Sequence, residues 1–131
     1  MRVLFVCVEN SNRSQMAEAF AHIHGGRDVV AASAGSRPSG KVNPKAVAAM
    51  QERGYDLTTH RSKSVDEMRK QSWDRVVTMG CGDACPWVPA SRTEDWAIPD
   101  PRDLDEAGVR AVRDEIERRV VALLAAAPIS V

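Results

Sequence analysis

The chain opens on an unbroken apolar run, Val3-Leu4-Phe5-Val6, which reads as a β-strand over Arg2 to Val6, buried on both faces of a parallel sheet. A polar loop from Cys7 to Asn12 follows. Apolar residues then recur at Met16, Ala17, Phe20, Ala21 and Ile23, the spacing of a helix that Gly25-Gly26 closes. Val29 to Ala32 predicts a second strand, running out into Ser33-Ala34-Gly35. Asn43-Pro44 supplies an N-cap and a first-turn proline for a helix through Val47 and Met50 that Gly54 stops. Ser64 followed by Glu67 has the form of a capping box and predicts a short helix over Ser64 to Gln71. Arg75 to Met79 predicts a third strand and Asp95 to Ile98 a weaker fourth. Val109, Val112, Ile116, Val120 and Leu123 recur at steps of three and four, marking a long amphipathic final helix.

Strands alternating with helices through short connections imply an α/β fold: one three-layer domain over residues 1–131, with a four-stranded parallel sheet and helices on both faces. Right-handed crossovers in such a sheet bring ligands to the carboxyl ends of the strands. Cys7 follows the first strand, Cys81 the third and Asp100 the fourth, so all three are expected at one edge.

Composition narrows the function classes. The 131 residues carry 18 acidic and 18 basic side chains, so no overall field recruits nucleic acid or an anionic membrane. The apolar runs are too short to span a bilayer. The first eight residues read as a buried strand, not a signal peptide. Three cysteines, Cys7, Cys81 and Cys85, fit a reducing cytoplasm in which thiols are kept for chemistry. A monomer is expected.

The segment Cys7-Val8-Glu9-Asn10-Ser11-Asn12-Arg13-Ser14 lies between a buried strand and a helix start. A loop of this length can turn successive N–H groups inward as a nest for a tetrahedral oxyanion, and the helix terminus adds partial positive charge. Both effects stabilise a Cys7 thiolate. Arg13 closes the ring with a planar fork able to hold two oxygens. Ser14 is placed to donate a hydrogen bond to the thiolate, and Asn10 to tie the loop to its own backbone.

Cys7 to Ser14 with Gln15-Met16-Ala17-Glu18, then Ser33-Ala34-Gly35, Asn43-Pro44-Lys45-Ala46 and Asp100-Pro101, resembles the low-molecular-weight protein tyrosine phosphatase superfamily. Within it, Val77-Thr78-Met79, the pair Cys81 and Cys85 before Pro86, and Val112-Arg113-Asp114-Glu115-Ile116 resemble the arsenate reductases coupled to thioredoxin. The likeness covers essentially the whole chain and implies a flavodoxin-like sheet. It implies Asp100 as general acid, in a loop stiffened by Pro99 and Pro101. It also implies a relay in which Cys7 attacks arsenate, Cys81 attacks Cys7, and Cys85 attacks Cys81. No tightly bound cofactor or metal is implied; the electrons come from reduced thioredoxin or another external thiol. The alternative enzyme is a phosphatase of aryl phosphates acting through a Cys7 phosphocysteine. From a different class, the chain could be a non-catalytic oxyanion-binding module, which has little use for Asp100 or the second thiols.

Three positions depart from the family pattern. Glu9 puts an acid in the cradle and is expected to point outward. Lys63 stands where some relatives have an aspartate that helps bind potassium near Asn10 and Glu18; its ammonium can supply that charge, so no potassium requirement is expected. Cys81 and Cys85 are closer together than in well-known thioredoxin-linked members. A zinc site at the pair is not expected, because His22, His24 and His60 lack ligand spacing in the sequence. The histidines and Trp73, Trp87 and Trp96 are expected to pack or face solvent.

Overall fold

A computed structural model describes residues 1–80 and 88–126. Cys81, Cys85 and Trp87, and the expectations attached to them, lie outside the described residues. In chain order the main elements are β1 (Arg2–Cys7), α1 (Arg13–Gly25), β2 (Val30–Gly35), α2 (Pro44–Gln51), β3 (Trp73–Thr78), β4 (Ala90–Asp95) and α3 (Glu106–Ala126). The four strands are parallel in the order β2-β1-β3-β4, the α/β architecture the alternation predicts.

β1 is central, and Val3, Leu4, Phe5 and Val6 are fully buried. Its side chains alternate between two cores. Val3, Phe5 and Cys7 join Phe20 of α1, Met50 of α2 and Ile116 of α3. Leu4 and Val6 pack on the other side with Val65, Met68, Trp73 and Val76. Register pairs Cys7 with Gly35, Val6 with Thr78, and Thr78 with Asp95, which levels the carboxyl ends of all four strands. That level edge is where the cradle loop sits. Among the described residues, no helix is long and apolar enough to cross a membrane.

Three features differ from the sequence expectation. Instead of helices on both faces, α1, α2 and α3 all pack in the core of Val3 and Phe5, and among the described residues the opposite face is covered by the turn around Val65 and by Met68 and Val88. The fourth strand is Ala90–Asp95, earlier than Asp95 to Ile98. Ser91-Arg92-Thr93-Glu94 is polar because β4 is an edge strand, held by the β3 backbone and needing no apolar run. Trp96, whose backbone N–H still donates to Thr78 O at 2.8 Å, and Ile98, which together suggested a strand, lie past the end of β4 and fill the core. The helix expected over Ser64 to Gln71 is a single 3-10 turn, Val65–Glu67. Ser64 does cap it, accepting from Asp66 N, but Glu67 does not complete the box: its carboxylate is taken by Arg61 at 2.6 Å.

Candidate active site

Four successive carbonyls of the cradle loop, Val8 to Ser11, are bonded to the surrounding chain. Val8 O accepts from Arg37 N (2.8 Å), Glu9 O from Ser39 N (3.1 Å) and Ser62 Oγ (2.9 Å), and Ser11 O from Asn43 N (2.8 Å). Asn10 O accepts from Gln15 Nε2 at 2.9 Å. With the carbonyls satisfied on the outside, the loop's N–H groups are left to the inside, beside the start of α1. Asn10 sits at φ 50°, a left-handed conformation that asparagine tolerates, and its Oδ1 accepts from both Gln15 Nε2 and Lys63 N at 3.0 Å. Gly35 is required underneath: a Cβ there would lie 2.5 Å from Val8 O and 2.9 Å from Asn10 N.

Cys7 ends β1, buried at 3% exposure, with its Sγ 2.8 Å from Ser14 Oγ. Asn10 Nδ2 donates to that same Ser14 Oγ at 2.9 Å. Ser14 therefore has its own O–H free to donate to a Cys7 thiolate, and Asn10 orients it. A cavity of about 180 Å³ opens over the sulfur, lined by Cys7, Val8, Glu9, Ser11, Asn12 and Arg13 on one side and Asp100 and Arg102 on the other. The Asn12 side-chain amide lies buried in this wall with no partner among the described residues.

Arg13 is held from outside the loop. Its Nη1 donates to Ile98 O at 2.9 Å, and its Nη2 lies 3.8 Å from Asp100 Oδ2. Asp100 Oδ1 accepts from Arg102 N at 2.9 Å, capping the Pro101–Asp103 turn, so one carboxylate oxygen is anchored and the other faces Arg13. Thus Cys7, Arg13 and Asp100 converge on one cavity. Such an arrangement can bind a tetrahedral dianion against a sulfur nucleophile with a carboxyl group within reach of a leaving oxygen.

Glu9, expected to point outward, instead lines the cavity, where Arg102 Nη1 meets its Oε1 at 3.2 Å and offsets its charge. Sequence reasoning did not find Arg102; a pair ninety-three positions apart leaves no local signal.

Behind the cradle lies a second polar cluster. Glu18 is buried; its Oε1 accepts from Ser33 Oγ at 2.7 Å and lies 3.8 Å from Lys63 Nζ. Burial pushes the Glu18 carboxyl up, but the His22 hydrogen bond, the charges of His60 and Lys63 and the Ser33 bond together bring it below its ordinary value. Burial pulls the Lys63 ammonium down, against the opposing pull of Glu18. Burial likewise lowers His60, again opposed by Glu18. Glu18 and His22 stand four residues apart on α1, a spacing visible in the sequence, and His60 joins them only through the tertiary fold. His24 lies apart, bonded to Glu117 at 2.9 Å.

Comparison with known proteins agrees with this geometry. Residues 2–129 match the family model described as low molecular weight phosphotyrosine protein phosphatase. The chain is 37% identical over 127 residues to the glutaredoxin arsenate reductase of Synechocystis sp. (strain ATCC 27184 / PCC 6803 / Kazusa), covering 95% of this chain and 96% of that protein. An arsenate reductase solved in the phosphate binding state matches with TM-score 0.87 and 37% identity over 95% of this chain and 96% of the other. The thioredoxin-dependent arsenate reductase of Corynebacterium glutamicum matches with TM-score 0.76 and 34% identity, over 93% of this chain and 59% of that one. An arginine phosphatase from Geobacillus stearothermophilus matches with TM-score 0.79 and 26% identity, over 95% and 90%.

Proposed function

Because the chain belongs to the low molecular weight phosphotyrosine protein phosphatase family, we propose that it is a cytoplasmic, monomeric enzyme that reduces arsenate to arsenite. The observation that carries this reading is the convergence of Cys7, Arg13 and Asp100 on one cavity able to hold a tetrahedral oxyanion, in a chain that also holds Cys81 and Cys85.

Arsenate binds with its oxygens on the loop N–H groups and the Arg13 fork. The Cys7 thiolate, stabilised by Ser14, attacks arsenic; an S–As bond forms, and Asp100 protonates the departing oxygen, which leaves as water. Cys81 then attacks the Cys7 sulfur. The S–As bond breaks, its electron pair stays on arsenic, and arsenite leaves behind a Cys7–Cys81 disulfide. Cys85 attacks Cys81, freeing Cys7 and forming a Cys81–Cys85 disulfide. Two thiols have been oxidised and arsenic reduced by two electrons. A reduced dithiol protein of the thioredoxin type restores the pair, the reductant named for the Corynebacterium glutamicum relative.

A phosphatase reading has the arginine phosphatase likeness in its favour, and arsenate and phosphate share shape and charge. Hydrolysis, however, returns its cysteine unchanged and leaves Cys81 and Cys85 without a task. Disulfide mapping after one arsenate turnover without reductant separates the two. The reductase cycle gives Cys81–Cys85 in the native chain and Cys7–Cys81 in Cys85→Ser; three free thiols after arsenate exposure contradict it.

A further inference from the structure

Glu18 and His22 stand one helical turn apart on α1, and His60 approaches them from the segment after α2. Glu18 Oε2 lies 3.0 Å from His22 Nε2 and 3.6 Å from His60 Nε2, and the three ligand atoms all fall within 4.8 Å of one another. Tetrahedral zinc bound at roughly 2.0–2.1 Å sets its ligand atoms about 3.3 Å apart. The cluster therefore needs only small side-chain adjustments to close on an ion.

Hydrogen bonding fixes the chemistry of His60. Gln15 Nε2 donates to Asn10 O, Asn10 Oδ1 and Arg61 O, so the Gln15 amide is oriented with its Oε1 toward His60. His60 Nδ1, 2.9 Å from that oxygen, must carry the proton. In the neutral ring, which burial favours, His60 Nε2 is then the lone-pair nitrogen, 2.6 Å from the Tyr55 hydroxyl that can donate to it. This is the tautomer a metal requires, with the other ring nitrogen already donating to a carbonyl oxygen as metal-bound histidines do. Tyr55 also stacks on His22 at 6.4 Å with an interplanar angle of 7°, holding that ring in place.

We propose that Glu18, His22 and His60 form a binding site for a divalent transition-metal ion of the zinc type. A carboxylate and two imidazoles suit such an ion, and a fourth position remains for water or the displaced Tyr55 hydroxyl. Lys63 Nζ faces Glu18 Oε1, the other oxygen, so the lysine and the metal share one carboxylate, which limits affinity and makes the ion exchangeable. The site is separate from the oxyanion cavity and is linked to the cradle loop through Gln15, which bonds both His60 and Asn10, and through Lys63. It stands whether or not the chain reduces arsenate.

The test is a cobalt(II) titration of the fully reduced full-length chain, followed by visible d–d absorption and thermal unfolding. Cysteines are the competing ligands, so the titration is repeated on a chain with Cys7, Cys81 and Cys85 replaced by serine and on His22→Ala, a change at a half-exposed surface ring. The expected result is one equivalent bound with nitrogen–oxygen bands and a raised Tm, unaltered by the cysteine replacements and weakened at least about tenfold in His22→Ala. Binding that survives His22→Ala, or bands that carry thiolate charge transfer and vanish with the cysteines, overturns the proposal. So does the absence of any one-equivalent binding.

Discussion

Gly80 leaves room for Arg13: a Cβ at Gly80 would lie 2.8 Å from Arg13 Nη1, and Gly80 itself sits at φ +77°. The glycine after β3 thus lets the guanidinium lie against backbone and reach Ile98 O. Gly80→Ala carries a left-handed alanine, costing about 1–2 kcal/mol, and pushes the guanidinium out of line. The fold is expected to survive, because the clashing atom is a side-chain end. Phosphate and arsenate affinity should fall about tenfold or more, the loss of roughly 1.4 kcal/mol of a charged contact. Calorimetric titration of the variant with phosphate checks this.

Glu9 is neutralised by Arg102 at 3.2 Å on the rim of the cavity. Arg102→Ala is expected to leave a bare carboxylate facing the incoming dianion. Oxyanion affinity should drop about three- to tenfold, more at low ionic strength than at high. Adding Glu9→Gln to the same chain should recover most of the loss. Titrations of both variants at two salt concentrations test the pairing, and an unaltered salt dependence in Arg102→Ala would count against it.

Lys63 supplies a cation beside the buried Glu18 carboxylate. Turnover in potassium and sodium salts of equal ionic strength should therefore agree. Lys63→Met removes the charge and should destabilise the chain by about 1–3 kcal/mol. Turnover assays in the two salts check the first expectation and denaturant unfolding of the variant the second; a native chain that needs potassium contradicts the first.

The α2–α3 contact predicts a pH dependence. Glu52 is bonded to Arg110 and Arg113, which hold its carboxyl down at about 2. Arg113, buried, also donates to Ala49 O at 3.0 Å. A depressed carboxyl stabilises the fold above its unfolded value, near 4.5, and stops doing so as pH falls through about 2. Glu52→Gln should therefore lower Tm at neutral pH, with the gap to the native chain closing between those two values. Melting curves across that range check the sign.

The parts of this molecule legible in the sequence are those carried by local pattern. β1 announces itself by four consecutive apolar residues, α3 by its spacing, and the cradle because Cys7 to Ser14 is contiguous. Asp100-Pro101 alone marks only a turn; the family resemblance and its place after the last strand singled Asp100 out. β4 slipped because an edge strand takes its order from its neighbour's backbone, and Trp96 and Ile98 mimic a strand while packing as core. Glu9 with Arg102, Gly80 with Arg13, and His60 with Glu18 depend on residues brought together by tertiary folding, for which pattern along the chain has no signature.

The reductase reading is tested most directly by following oxidation of a reduced thioredoxin pool with arsenate as substrate, beside release of nitrophenol from an aryl phosphate. The account predicts sustained, arsenate-dependent oxidation that Cys81→Ser and Cys85→Ser each abolish while phosphate binding persists, with ester hydrolysis slow at best. Efficient ester hydrolysis with no arsenate-dependent turnover would contradict it.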